Sequence, residues 1–125
     1  MLKKVSLFAA FGYTLALGTV SLITLNNVPD IGVSFADKIF HFLAYAIFAV
    51  LWYAAFFYGF YFKKKKALLY AVILAVVFGM IIEVLQGTWT VSRAFDVYDA
   101  LANTAGAVVA AIVIQIKNSL GVKNS

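Results

Sequence analysis

Residues 63–85 read KKKKALLYAVILAVVFGMIIEVL. The four lysines Lys63 to Lys66 cannot lie in hydrocarbon, whereas the run from Ala67 to Ile82 holds no charge. A membrane span needs about 20 mostly apolar residues, because roughly 30 Å of hydrocarbon is crossed at about 1.5 Å per residue. The segment from Ala67 to Leu85 meets that requirement and carries one ionisable group, Glu83. That residue is reached after a climb of roughly 24 Å, in the last quarter of the hydrocarbon. A lysine-flanked apolar helix with a carboxylate near its far end sets the class as membrane protein. It also directs attention to the edge opposite the lysines.

The remainder of the chain fits this reading. It is 65% hydrophobic and 12% charged, with a mean hydropathy of +0.99; soluble domains run near half apolar and a quarter charged. Three further spans are predicted over about 5–25, 39–62 and 97–116, beside the one over 67–85. The expected fold is all-α, a polytopic membrane protein built as a four-transmembrane-helix bundle, with residues 1–125 as a single domain. Asn26-Asn27-Val28-Pro29-Asp30 is a turn cluster, since Pro29 cannot continue a helix. Residues 87–95 mix Thr, Trp, Ser and Arg and read as an interfacial connection, with Trp89 and Phe95 as aromatic anchors. The tail over 117–125 is polar and expected to fray. The short tetralysine turn should pair the third helix antiparallel with the second. With no cysteine in the sequence, a disulfide framework, a thiol nucleophile and thiolate metal sites are excluded.

Orientation follows from the basic residues. With both termini cytoplasmic, the inside carries Lys3, Lys4, Lys63, Lys64, Lys65, Lys66, Lys117 and Lys123, and the outside only Lys38 and Arg93. Eight against two is a strong positive-inside bias, so an N-in, C-in multi-pass protein is expected. The net charge of +5 is then a topology signal with the lipid bilayer and its anionic headgroups as partner, and no nucleic acid is implied. Lys3-Lys4 before an apolar run and Ala16-Leu17-Gly18 resemble a signal peptide with its cleavage site. The run is longer than a signal core, so a retained span is expected.

Threaded this way, the ionisable groups converge. The second helix enters from outside with Asp37 at its mouth and His41 one turn deeper on the same face, followed by Tyr45. Ser34 is placed to cap it. The third helix brings Glu83, with Gln86 at i+3 and Gly79 at i−4 on one face, the glycine allowing close helix approach. The fourth starts outside with Asp96, Asp99, Asn103 and Gly106, whose offsets hold one stripe at 100° per residue. Arg93 and Ser92 precede it.

Intramembrane ionisable groups are costly to place, so a converging set is a functional-site hypothesis. His41 with Asp37 at i−4 has the character of a general base or relay, and Glu83 that of an acid in apolar surroundings. The alternative is an ion-paired seam joining helices three and four, with Asp96 as an N-cap and Asn103 bonding helix to helix. His41 with two carboxylates could ligate a metal. No HExxH, paired-histidine or CxxC spacing supports one, so neither a metal nor another cofactor is predicted. The aromatics of the second helix read as packing and lipid-facing surface rather than a ligand cage.

The motif positions Asp37-Lys38-Ile39-Phe40-His41-Phe42 with Tyr45, then Glu83-Val84-Leu85-Gln86, then Arg93, Asp96, Asp99, Asn103 and Gly106 resemble the VanZ-like family over residues 30 to 115. The first helix matches only as an apolar span. The resemblance implies a small bacterial inner-membrane protein with an outward polar site and a link to the cell envelope or to glycopeptide (teicoplanin) antibiotic response. It supplies no reaction.

Two functions therefore stand side by side. In the first, the protein binds or modulates an envelope component, a cell-wall precursor or a lipid headgroup, at its outer face. Lys38 and Arg93 meet the anion, and Gln86, Asp96, Asp99 and Asn103 complete the site. In the second, it is a membrane enzyme hydrolysing or transferring a lipid-linked or peptidoglycan-related substrate, with His41 as base oriented by Asp37, Glu83 as acid and Arg93 stabilising negative charge. A proton-linked transporter is disfavoured, because no charged residue lies in the inner half of any span. The oligomeric state is not legible.

Overall fold

The computed structural model describes residues 2–24, 35–89 and 97–124, and their side chains over 2–21, 38–85 and 98–120. Four α-helices are described: α1 (Leu2–Thr24), α2 (Phe35–Ala54), α3 (Lys64–Trp89) and α4 (Val97–Asn124). All four contain windows long and apolar enough to cross a membrane, over Leu2–Ser21, Lys38–Gly59, Lys64–Leu85 and Tyr98–Leu120. Large apolar side chains such as Phe8, Leu15, Ile39, Ile73 and Val113 point outward. A bundle with so apolar an outer surface is built for lipid rather than water.

Helix ends differ from the sequence expectation: α3 already begins at Lys64, inside the expected tetralysine turn, and three further ends shift. First, α2 gives way to a π-helical turn over Ala55–Gly59 instead of running to Phe62. Tyr61 then takes φ 62, a left-handed conformation that stops the helix. Second, α3 runs on through Gly87, Thr88 and Trp89, where the composition predicts a connection. Third, the tail does not fray, and α4 is helical to Asn124. No proline interrupts the tail, and the Asn118 side-chain amide donates to Tyr53 Oη at 3.2 Å, tying it to α2. Pro29, the turn cluster and Ser34 lie outside the described residues.

The order of packing positions the site. The α2–α3 pair is antiparallel as expected: Phe56 meets Tyr70, Phe48 stacks on Phe78 with centroids 5.0 Å apart, and Tyr45 reaches Phe78. The most intimate pair, however, is α2 with α4, and it runs parallel. Partners pair in ascending order on both helices, Lys38 with Asp99, His41 with Asn103 and Tyr53 with Asn118. At its centre Gly106 lies directly on the α2 backbone: a Cβ there would sit 2.1 Å from the Phe42 carbonyl oxygen and 3.2 Å from the Ala46 nitrogen. Only glycine permits that approach.

Helix α1 leans on this core antiparallel to α2. The Trp52 indole donates to Thr14 Oγ1 at 2.8 Å, the Tyr13 hydroxyl donates to the Ala44 carbonyl at 2.6 Å, and Phe11 sits edge-on to Trp52. The buried core is the aromatic column Tyr45, Phe48 and Trp52, closed by small residues Ala10, Ala71, Ala75, Ala107 and Ala110. The aromatics of α2 thus divide as the sequence predicts, with a packed inner row and exposed residues such as Phe40 and Tyr58.

Candidate functional site

Because α2 and α4 run parallel, their starting ends lie together, and antiparallel α3 delivers its far end to the same level. Each of the three helices places a polar turn there. Lys38 and His41 come from α2, Glu83 from α3, and Asp99 and Asn103 from α4. Four of the five are deeply buried: His41 is 6% exposed, Glu83 1%, Asp99 0% and Asn103 2%. In this fold the i, i+3/i+4 spacings become one cross-helix cluster.

Asp99 is the hub. Its Oδ1 accepts from the Lys38 ammonium in a close ion pair, and its Oδ2 faces His41 Nε2 at 3.6 Å. Lys38 keeps 24% of its side chain exposed while Asp99 keeps none, so the lysine reaches inward from the bundle rim. The other imidazole nitrogen, His41 Nδ1, bonds Asn103 Oδ1 at 3.0 Å. An amide oxygen can only accept, so Nδ1 donates in that bond, and Nε2 is the ring nitrogen that faces Asp99. One donor atom each of His41, Glu83 and Asp99 lies within 4.8 Å of the other two.

Below this cluster lies a second buried layer. The Tyr45 hydroxyl and the Asn103 side-chain nitrogen are fully buried and have no hydrogen-bond partner among the described residues. Tyr45 as a whole is 1% exposed. Gly79 makes the layer possible: a Cβ there would come within 3.2 Å of both Asn103 Nδ2 and the Tyr45 ring. Gly79 therefore opens the helix approach that its position one turn before Glu83 predicts.

Five of the nine residues expected at the site are thus brought together: Lys38, His41, Glu83, Asp99 and Asn103. Asp37 lies in the first turn of α2 and Gln86 in the last turns of α3, and their side chains lie outside the described residues. Arg93 and Asp96 also lie outside them. Among the described residues Lys38 of α2 pairs with Asp99 of α4, and the groups described around His41 come from α4; the arginine of an α3–α4 seam, Arg93, lies outside them. Tyr45 joins the site as a residue that the sequence pattern places one further turn along the His41 stripe without assigning it a role. Its i+4 spacing from His41 is the signal that points to it.

Comparison with curated proteins and with solved structures gave no match. A family model does match, that of VanZ/LLP1, over residues 2–118. The match takes in the first helix as well as the stretch from 30 to 115 where the motif residues lie. With four apolar helices and a match over nearly its whole length, this chain belongs to the VanZ/LLP1 family.

Proposed function

We propose that this membrane protein binds an anionic component of the cell envelope at the end of the bundle where α2, α3 and α4 present Lys38, His41, Glu83, Asp99 and Asn103. The observation that carries this reading is the burial of four of these polar groups together, at one level, inside helices that are otherwise apolar. Interhelical hydrogen bonds contribute on the order of 0.6 kcal/mol each in membranes, so stability alone is a poor reason to assemble so many ionisable groups. The positive-inside bias orients this end outward in a bacterial cytoplasmic membrane. A lipid-linked cell-wall precursor or a lipid headgroup is the class of ligand such a face meets, and an effect on glycopeptide response would follow from that encounter. Lys38, already at the rim, is the group placed to leave Asp99 for an incoming anion.

A second reading has one specific observation in its favour. The bond from His41 Nδ1 to Asn103 Oδ1 holds the imidazole with its other nitrogen directed into the cluster. A general base acting on a lipid-linked ester or phosphate needs that arrangement.

Two measurements test these readings. Tyr61 and Tyr98 are exposed at opposite ends of the bundle. A Tyr98→Cys variant is expected to react with an impermeant maleimide on intact cells, and a Tyr61→Cys variant only after permeabilisation; the reverse pattern would sink the outward assignment. Purified protein in nanodiscs should capture a lipid-linked precursor, and Glu83→Gln and Asp99→Asn, if still folded, should lose capture. Conversion of the precursor to product, abolished in His41→Gln, selects the enzyme over the binder.

A further inference from the structure

We infer that the His41–Glu83–Asp99 cluster is a divalent-cation site of mixed nitrogen and carboxylate donors, suited to a zinc-class ion. This deepens the proposed reading and rests on it in taking this end of the bundle as the working site. Three observations converge on it.

The first is geometric. The three donor atoms lie mutually within 4.8 Å, one from each of three helices. His41 Nε2 and Asp99 Oδ2 stand 3.6 Å apart, too far for a hydrogen bond. Two ligands at about 2.1 Å from a tetrahedral ion are separated by about 3.4 Å. The gap therefore matches the spacing of two ligands on one shared cation, with a Glu83 oxygen in the same group of donors.

The second is the support around the ligands. A metal-binding histidine characteristically gives its other ring N–H to an oxygen that fixes tautomer and orientation. His41 does this to Asn103 Oδ1 at 3.0 Å. One turn along α2 from His41, the Tyr45 hydroxyl is buried without a hydrogen-bond partner among the described residues. It is positioned to bond a ligating carboxylate or a water on the ion.

The third is charge. Two carboxylates of different helices, Glu83 and Asp99, are buried at 0–1% exposure beside one imidazole. Lys38 meets Asp99 from a partly exposed position at the rim. A dication on these donors takes the place of Lys38 at Asp99 and frees the lysine for the anion outside. Three protein donors leave a fourth position open, as in sites that bind water or a ligand oxygen. A phosphate or carboxylate oxygen of an envelope component is the chemistry that position accepts. Sequence spacing shows none of this, because each helix contributes a single ligand and no pair falls in a short motif.

The test uses tag-free full-length protein in nanodiscs. It is loaded with zinc chloride, freed of excess by gel filtration and analysed for metal per chain by mass spectrometry. In parallel, cobalt(II) is titrated and its visible d–d bands are recorded. One zinc per chain is expected, with a cobalt spectrum of low coordination number. Glu83→Gln and Asp99→Asn, checked for folding by gel filtration and thermal melt, should lose the stoichiometric metal. Asn103→Ala should weaken cobalt binding by roughly 10–100-fold. Lys38→Met, which removes the competitor for Asp99, should tighten it.

Wild-type protein that emerges without zinc overturns the inference. So does equal retention by folded Glu83→Gln and Asp99→Asn, or weaker binding in Lys38→Met. Precursor capture that persists at full level in metal-free protein under chelator overturns the cation site and leaves the envelope reading standing. Stoichiometric zinc without any precursor capture does the opposite.

Discussion

The two ends of the bundle hold charge in opposite ways. At the lysine-rich end, Lys3, Lys4 and Lys63 to Lys66 are all exposed, and their described contacts there include aromatic faces. Lys66 lies 4.6 Å from the Phe62 ring centroid and 5.6 Å from that of Tyr70, while Lys3 lies 5.3 Å from that of Tyr61. At the other end His41, Glu83, Asp99 and Asn103 are buried, and Asp99 binds a lysine from another helix. An exposed ammonium near an aromatic belt costs little and tells the membrane which way the protein faces. A buried carboxylate is costly unless partnered, and each partner constrains two helices at once. Abundant charge thus stays exposed at one end, whereas scarce charge is buried and shared between helices at the other.

Substitutions at the two ends, and along the seam between them, separate these roles. The largest loss is expected at Gly106, where even a Cβ meets the α2 backbone. Gly106→Leu should prevent α2 and α4 from docking, costing more than ~3 kcal/mol in detergent unfolding titrations. A near-wild-type melt would show that the parallel α2–α4 seam is not what unites the polar end. Asp99→Leu comes next, since it strands Lys38 and the Nε2 edge of His41, at about 3–5 kcal/mol. If Lys38→Met/Asp99→Leu together recover most of that loss in a double-mutant cycle, the cost belongs to the broken pair; no recovery assigns it to Asp99 alone.

Smaller effects are expected away from the site. Trp52→Phe removes the bond to Thr14 and should loosen α1 by about 0.6 kcal/mol, read as faster proteolysis of α1. The smallest belongs to the lysine end. Lys66→Ala should cost no more than about 0.5–1 kcal/mol, because its ring contacts are exposed. A Lys66→Ala penalty as large as that of Asp99→Leu would erase the distinction between the two ends.

Much of the architecture is legible in the sequence. The four spans, the antiparallel α2–α3 pair and the level at which Glu83 sits follow from hydropathy, the tetralysine turn and the rise per residue. So does the shared stripe of Asp99, Asn103 and Gly106. Less legible is which helix receives them. The pattern offers Lys38 as a cation for an external anion, and in the structure it also binds Asp99; Tyr45 stands among the motif positions, but nothing in the pattern shows that its hydroxyl is buried without a described partner. Polar residues such as Thr88 and Lys117 look like breaks, but the helices continue through them. A helix keeps its hydrogen bonds through polar residues when neither proline nor a left-handed residue stops it.

By itself the sequence determined a membrane-spanning helical chain and the end of it where costly groups gather, because hydropathy and period act along one helix at a time. Only the tertiary structure decided that α4, already parallel to α2 by the alternation of the spans, packs directly on it over Gly106. It also decided that His41 would be held between Asn103 and Asp99, with Glu83 within reach. Those contacts depend on interhelical distances set by single absent side chains, at Gly79 and Gly106, and on the registry of helices some sixty residues apart.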